Sequence, residues 1–189
     1  MLNLWVRYIK CSIWSYIGSF FVFLLFYLDL WVKINNDPVC FGPKDDIHGS
    51  FSISKAGSLG ALKLAHLSGT LVCFEESATS YWGCRSSVYG DKTLMTFISH
   101  PNQRSILLPR PNITQIARPE GSKCTNVFTY KLDGFNDESP ELIFNTSSDP
   151  LQVTLDQQFW NWYGQDMADC SEDNNSGESC VDVFGWYIS

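Results

Sequence analysis

The sequence predicts an all-β fold, an antiparallel β-sandwich or jelly-roll-like ectodomain, preceded by one N-terminal transmembrane helix. Three observations carry that prediction. Short runs of β-branched and aromatic residues recur between turn residues, no sustained period of 3.6 occurs beyond residue 32, and one uncharged apolar run stands near the N-terminus.

The apolar run extends from Cys11 to Leu28, and past Asp29 to Val32. At about 1.5 Å per residue such a helix spans roughly 33 Å, enough for a hydrocarbon core of about 30 Å. Trp5, Tyr8 and Trp14 at one end and Tyr27 and Trp31 at the other have the placement of interfacial aromatic belts. Arg7 and Lys10 precede the run and only Lys33 directly follows it, which keeps the N-terminus cytoplasmic. The organisation read from this is a cytoplasmic tail (1–10), a signal-anchor helix (11–32), a juxtamembrane connector (33–50) and an extracellular domain (51–189). The alternative is a long signal peptide cut near Asn36, which makes the protein secreted; the first alanine of the chain is Ala56, so the run lacks the small-residue cleavage pattern.

Residues 33–50 hold two prolines, two glycines and two asparagines among scattered charges, the composition of a connector. Strands are then expected at 51–54, over GALKLAHLSGTLVCF from Gly60, and at 93–100, 125–132, 141–145, 151–155, 158–163 and 181–188. A helix over 58–67 competes with the second of these, but Gly57, Gly60 and Gly69 each cost a helix interior about 1 kcal/mol. The proline-rich stretch 109–122 reads as a long loop.

With Cys11 in the apolar run, the remainder holds an even set of cysteines: Cys40, Cys73, Cys84, Cys124, Cys170 and Cys180. An even set in an exported chain implies disulfides. Sequence proximity pairs Cys73 with Cys84 and Cys170 with Cys180, each closing a loop worth about 3 kcal/mol, and leaves Cys40 for Cys124. Asn112, Asn145 and Asn174 each begin an N-glycosylation sequon, consistent with the same compartment.

The formal charge of −7 is unevenly spread. Residues 85–131 carry seven basic groups against Asp91 and Glu120, whereas twelve carboxylates and no Lys or Arg follow Lys131. The basic middle and acidic end are therefore expected to meet, within one chain or by self-association. Half of the late carboxylates lie in 164–182, where Asp166, Asp169, Asp173, Glu178 and Asp182 form a candidate Ca²⁺ ligand set, since hard cations take six to eight oxygens. The spacing does not match an EF-hand, and the competing reading is a solvated acidic loop. The flanking aromatics, Phe159 to Tyr163 and Phe184 to Tyr187, are core residues in one reading and a sugar-stacking platform in the other; alternation turns about half of them inward. Nucleic acid is excluded as a partner by charge and compartment.

No catalytic arrangement stands out. His48, His66 and His100 are in no metal-binding motif, no G-x-S-x-G occurs, and Glu75 and Glu76 are adjacent, so a strand would turn them to opposite faces. An enzyme with an unfamiliar site is the remaining catalytic alternative.

The succession YWGC at 81–84, GDKTLMTFISH at 90–100 and the block carried by Trp162, Tyr163, Gly164, Asp166, Asp173, Asn174, Ser176, Gly177, Cys180, Asp182 and Val183 resembles an extracellular domain near the C-termini of many cnidarian proteins, including coral skeletal organic matrix proteins. The resemblance covers about residues 50–189. It implies a secreted or membrane-bound setting and no defined activity; this chain departs from many of those relatives in lacking an EGF-like module. The function expected is adhesion, matrix or ligand recognition by a non-catalytic membrane glycoprotein, its ligand a protein, matrix component or glycan.

Overall fold

A computed structural model describes residues 31–74, 79–86, 89–101, 105–110, 114–117, 126–170 and 172–188. The Cys11–Leu28 run, Asn112, Cys124 and the Glu75–Glu76 pair lie outside these residues. Among the described residues no helix is long and apolar enough to cross a membrane.

In chain order the elements are β1 (Trp31–Lys33), β2 (Val39–Phe41), β3 (Gly49–Ser52), β4 (Gly57–Val72), β5 (Thr96–Ser99), β6 (Ile106–Leu108), β7 (Thr114–Ala117), β8 (Asn126–Thr129), β9 (Glu141–Asn145), β10 (Leu151–Val153), β11 (Gln158–Tyr163), the one-turn helix α1 (Gly164–Met167) and β12 (Ser176–Ile188). The largest sheet runs β1-β12-β4-β10, with β2 added to β12 and β9 to β4; a second runs β3-β11-β5-β6, and β7 pairs with β8. All these pairings are antiparallel, so the all-β expectation holds.

The long pair β4 and β12 is the spine of the molecule. It decides the helix-or-strand ambiguity of residues 58–67, because β4 alternates against partners on both edges. Leu62 and Leu64 on β4, Val181 and Val183 on β12 and Leu142 and Phe144 on β9 are buried. They join Phe51, Phe97 and Phe159 from the second sheet, and Ile53 just after β3, in one core. At the far end of the spine the strands approach closely: a Cβ on Gly69 (φ 81) would stand 2.1 Å from Glu178 O, and one on Gly177 (φ 90) 2.1 Å from Thr70 O.

Two boundaries differ from the sequence reading. Trp31 and Val32, placed at the end of the apolar span, belong to β1 and pair with Trp186 and Gly185. The segment 33–50, read as a connector, contains β2 and the start of β3, so the folded domain already includes the residues from Trp31 to Ser50 that precede Phe51. Turn residues there separate very short strands, which composition alone does not distinguish from a linker. Lys33 pairs with Asp182 at 2.8 Å, and Asn35 donates to the same carboxylate at 3.0 Å while accepting from Val183 N–H, which fastens this segment to β12.

The basic middle and the acidic end meet within the chain. Arg85 donates through Nε (2.9 Å) and Nη2 (2.8 Å) to the two oxygens of Asp137, a fully buried carboxylate, and reaches Glu138 at 2.7 Å. The hydrogen bonds to Asp137 and Glu138 hold the guanidinium well above its ordinary pKa. Arg110 likewise pairs with Asp149.

Candidate functional site

The site is built where β11 runs into α1. Gly164 starts that turn with its N–H on Met95 O at 2.7 Å, and a Cβ there would lie 2.6 Å from Phe128 O and 2.8 Å from Phe97 Cε2. The tight turn carries Asp166 into the interior, with 0% of its surface exposed. Asp166 Oδ1 accepts the Asp46 N–H at 2.8 Å, from the connection between β2 and β3. Asp45 (φ 64), Asp46 (φ 58) and Asp169 (φ 51) all hold the left-handed conformation, which short polar side chains tolerate better than others.

Glu172 completes the cluster. Its carboxyl is pushed up to about 7, first by burial, then by its hydrogen bond with Asp166 and by repulsion from Asp166, Asp169 and Asp46. Below neutral pH Glu172 therefore keeps its proton. Beside it Asn175, also buried, donates to Pro43 O at 2.9 Å and Gln165 Oε1 at 3.0 Å. Glu172 Oε2 and Asn175 Oδ1 are buried oxygens with no hydrogen-bond partner. An aromatic patch adjoins the cluster: the His48 ring lies 4.0 Å from Trp160 and 4.6 Å from Trp162, and His48 Nδ1 is 3.1 Å from Asp46 O.

The raised carboxyl has a consequence for stability. Glu172 ionises near 4.5 when unfolded and near 7 when folded, so the folded state binds more protons between those values and stability falls as pH rises through that window. Without added metal, unfolding free energy is expected to drop by about 1–2 kcal/mol from pH 4.5 to pH 7.5, a figure reduced because the carboxyl is partly in water. Glu172→Gln keeps a donor for Asp166 and flattens the profile; urea titrations at the two pH values check this.

Of the five carboxylates predicted as one ligand set, Asp166 and Asp169 lie in this cluster. Asp173 is exposed on the adjoining turn. Asp182 and Glu178 do not join: Asp182 is committed to Lys33 and Asn35 in mid-strand, and Glu178 stands on β12 opposite Thr70. The cause is that β12 starts at Ser176, so residues expected in a loop are spread along an extended strand. Glu178 does approach Cys40 and Cys180 closely enough for shared ligation, but those sulfurs are bonded to each other and offer no thiolate. Asp46 has no place in the acidic stretch read from the sequence, its only signal being the Asp45-Asp46 pair inside an apparent connector, whereas Glu172 is one of the six carboxylates of that stretch but not of the five in the ligand set.

Cys73 pairs with Cys84. Cys180 pairs with Cys40, not with Cys170, because β2 and β12 set those two cysteines directly opposite each other. The expected Cys40–Cys124 bridge is thereby ruled out as well. Cys170 is itself disulfide-bonded. Asn145 is exposed at the end of β9, its Oδ1 accepting from Ser147 N–H and Oγ–H, and Asn174 is exposed on the turn beside the acidic cluster.

The molecule is thus a disulfide-bonded antiparallel β domain with an oxygen-rich cluster and an aromatic patch at one end. It is similar to the solved structure of AJLec from the sea anemone Anthopleura japonica, with a TM-score of 0.71 and 33% sequence identity, over 84% of this chain and 97% of that one. The chain belongs to the family of AJLec. No model of a known protein family matches the chain, and no curated protein sequence does. The expected kinship with a cnidarian domain stands at this level.

Proposed function

We propose that the domain is a non-catalytic, extracellular glycan-recognition module whose acidic cluster holds a Ca²⁺ ion at or beside the sugar site. The observation that carries this reading is the convergence of Asp46, Asp166, Asp169 and Glu172 next to the partly exposed Trp160 and His48. The lectin-like character of AJLec supports the ligand class.

The donor set fits a hard cation. It consists of carboxylates and an amide oxygen, two of its buried oxygens have no donor, and one of its carboxyls is driven to keep a proton by burial first and then by the surrounding negative charge. A bound divalent cation would supply the positive charge that this proton supplies otherwise. The side chains around it divide the remaining work: Asp166 is fixed by the Asp46 N–H, Asn175 ties the turn to Pro43 and Gln165, and the Trp160 face offers an apolar surface for a sugar ring.

The apolar run is an anchor in this reading. Shortened to Cys11–Leu30 by the start of β1, it still spans about 30 Å as a helix, so the domain is held at the cell surface.

A glycan array probed with the domain (31–189) tests the function. Binding is expected in millimolar Ca²⁺ and lost with a chelator, and Asp166→Asn is expected to weaken binding of the best glycan about tenfold or more, since it removes a cation-binding charge. Binding that is indifferent to both the chelator and the substitution contradicts the cation's role. A blank array contradicts the glycan reading.

A further inference from the structure

β1 opens the described part of the chain at Trp31, three residues after the end of the apolar run at Leu28 in the sequence. The register of the sheets shows what stands at that end of the molecule. Trp31 faces Trp186, and β12 continues past it through Tyr187 to Ile188, opposite Leu59 and Ser58 at the start of β4. β10 ends there too, Val153 facing Gly57. Beyond these strand ends the turns at 53–56 and 154–157 are tied together, Ile53 N–H donating to Gln157 O and Asp156 N–H to Ile53 O, both at 2.9 Å.

Interfacial side chains stand on this rim among the exposed polar residues Ser54, Thr154, Asp156 and Gln158. Leu155, at the tip of its turn, is 59% exposed. Lys55 holds its ammonium 5.1 Å from the centre of the Tyr187 ring, and the Tyr187 hydroxyl donates to Lys55 O at 2.8 Å. Trp31 and Trp186 are half-buried on the adjoining paired strands, the Trp31 ring 4.9 Å from the Lys63 ammonium. Tryptophan, tyrosine, lysine and an exposed leucine are the residues that settle where a bilayer meets water. The exposed Asp156 offsets the charge of Lys55, so the rim carries no excess positive charge and does not depend on anionic lipid.

We infer that the rim formed by Trp31, Lys55, Leu155, Trp186 and Tyr187 rests in the headgroup layer of the membrane, with the acidic cluster at the opposite end of the sheets. The inference rests on the reading of the preceding apolar run as an anchor. One trans peptide step covers about 3.8 Å, so a helix ending at Leu30 leaves Trp31 within reach of the headgroups. The cluster lies at the other end of β12: Asn175 immediately precedes that strand and is bonded to Pro43 and Gln165. Only nine residues separate Asp46 in the cluster from Lys55 on the rim, so at about 3.3 Å per residue the two are at most about 30 Å apart. The acidic cluster is thereby held away from the membrane, and Trp160, five residues after Leu155 on β11, lies between the rim and the cluster.

The test uses the full chain in phosphatidylcholine nanodiscs, with an environment-sensitive fluorescent amino acid in place of Leu155 or of Asp173, both exposed. Lipids bearing a spin-label quencher at the headgroup-acyl boundary are then added. About twofold quenching is expected at 155 and none at 173, given the shallow depth of an interfacial contact. Carbonate extraction of membranes from expressing cells is run in parallel. Protein that resists extraction yet shows no quenching at 155 overturns the inference and leaves the anchor intact. Protein that carbonate releases removes the anchor and the inference together. Energy transfer between copies labelled at 155, without lipid quenching, assigns the rim to a second copy and also overturns it.

Discussion

Replacing Cys40 and Cys180 together with alanine lowers the stability of the domain by about 5 kcal/mol, more than replacing Cys73 and Cys84, which costs about 3 kcal/mol. The bridge links residues 140 apart in sequence, whereas Cys73 and Cys84 are 11 apart, and the chain entropy released on unfolding grows with the logarithm of the loop. The loss is also local. β2 holds only three residues against β12, and the Cys40–Cys180 bridge sits in the middle of that pairing. Asp46 follows β2 by a few residues, so loosening β2 withdraws the N–H that fixes Asp166. Non-reducing urea titrations of the two double variants give the ranking, and the reverse order would contradict this account of the bridge.

Arg85→Ala is expected to cost about 3–4 kcal/mol, because it leaves the Asp137 carboxylate buried without its cation. Asp137 is also a backbone junction. Its carbonyl accepts from Tyr81 and Trp82, and its own N–H donates to Asp91 O, so displacement of this residue disturbs the packing of the fully buried Trp82. Changing both partners to apolar residues, Arg85→Met with Asp137→Leu, is expected to recover most of the loss, since no buried charge then remains. Arg110→Ala is the internal control: Asp149 is 82% exposed, and the cost is expected to stay below about 1 kcal/mol. Thermal or urea unfolding of the three variants measures these differences.

Much of the fold was legible in the sequence, for reasons visible in particular elements. ELIFN and QFWNWY became β9 and β11 with the expected limits, because turn residues bracket alternating side chains there. About half of the aromatics turned inward as expected, though not by strict alternation: Phe159 and the consecutive Trp162 and Tyr163 are buried, whereas Trp160, Phe184 and, across an irregularity in β12, Trp186 and Tyr187 stay partly exposed. The meeting of basic middle and acidic end followed from charge alone and is carried by Arg85 and Arg110.

The misreadings have a common cause, which is contact between segments distant in sequence. Cys180 was paired with its neighbour Cys170 because closeness along the chain was the available guide; the partner is fixed by the register of β2 on β12. The ligand set was drawn from one acidic stretch, but strand extension carries Glu178 and Asp182 out of it, and the fold brings Asp46 in from 120 residues away. Residues 33–50 looked like a linker because β2 and β3 are too short to show a period and are held by Asn35, Lys33 and Cys40 from outside. Their membership in the sheet also places Trp31 on the rim that faces the proposed membrane.

The most direct test of the central claim is to locate the bound sugar. Amide shifts of the ¹⁵N-labelled domain (31–189), recorded in Ca²⁺ with and without the best glycan from the array, are predicted to move at Asp46, His48, Trp160, Asp166, Asp169 and Asn175. Shifts confined to Trp31, Phe184 and Trp186 at the other end of the large sheet would contradict it.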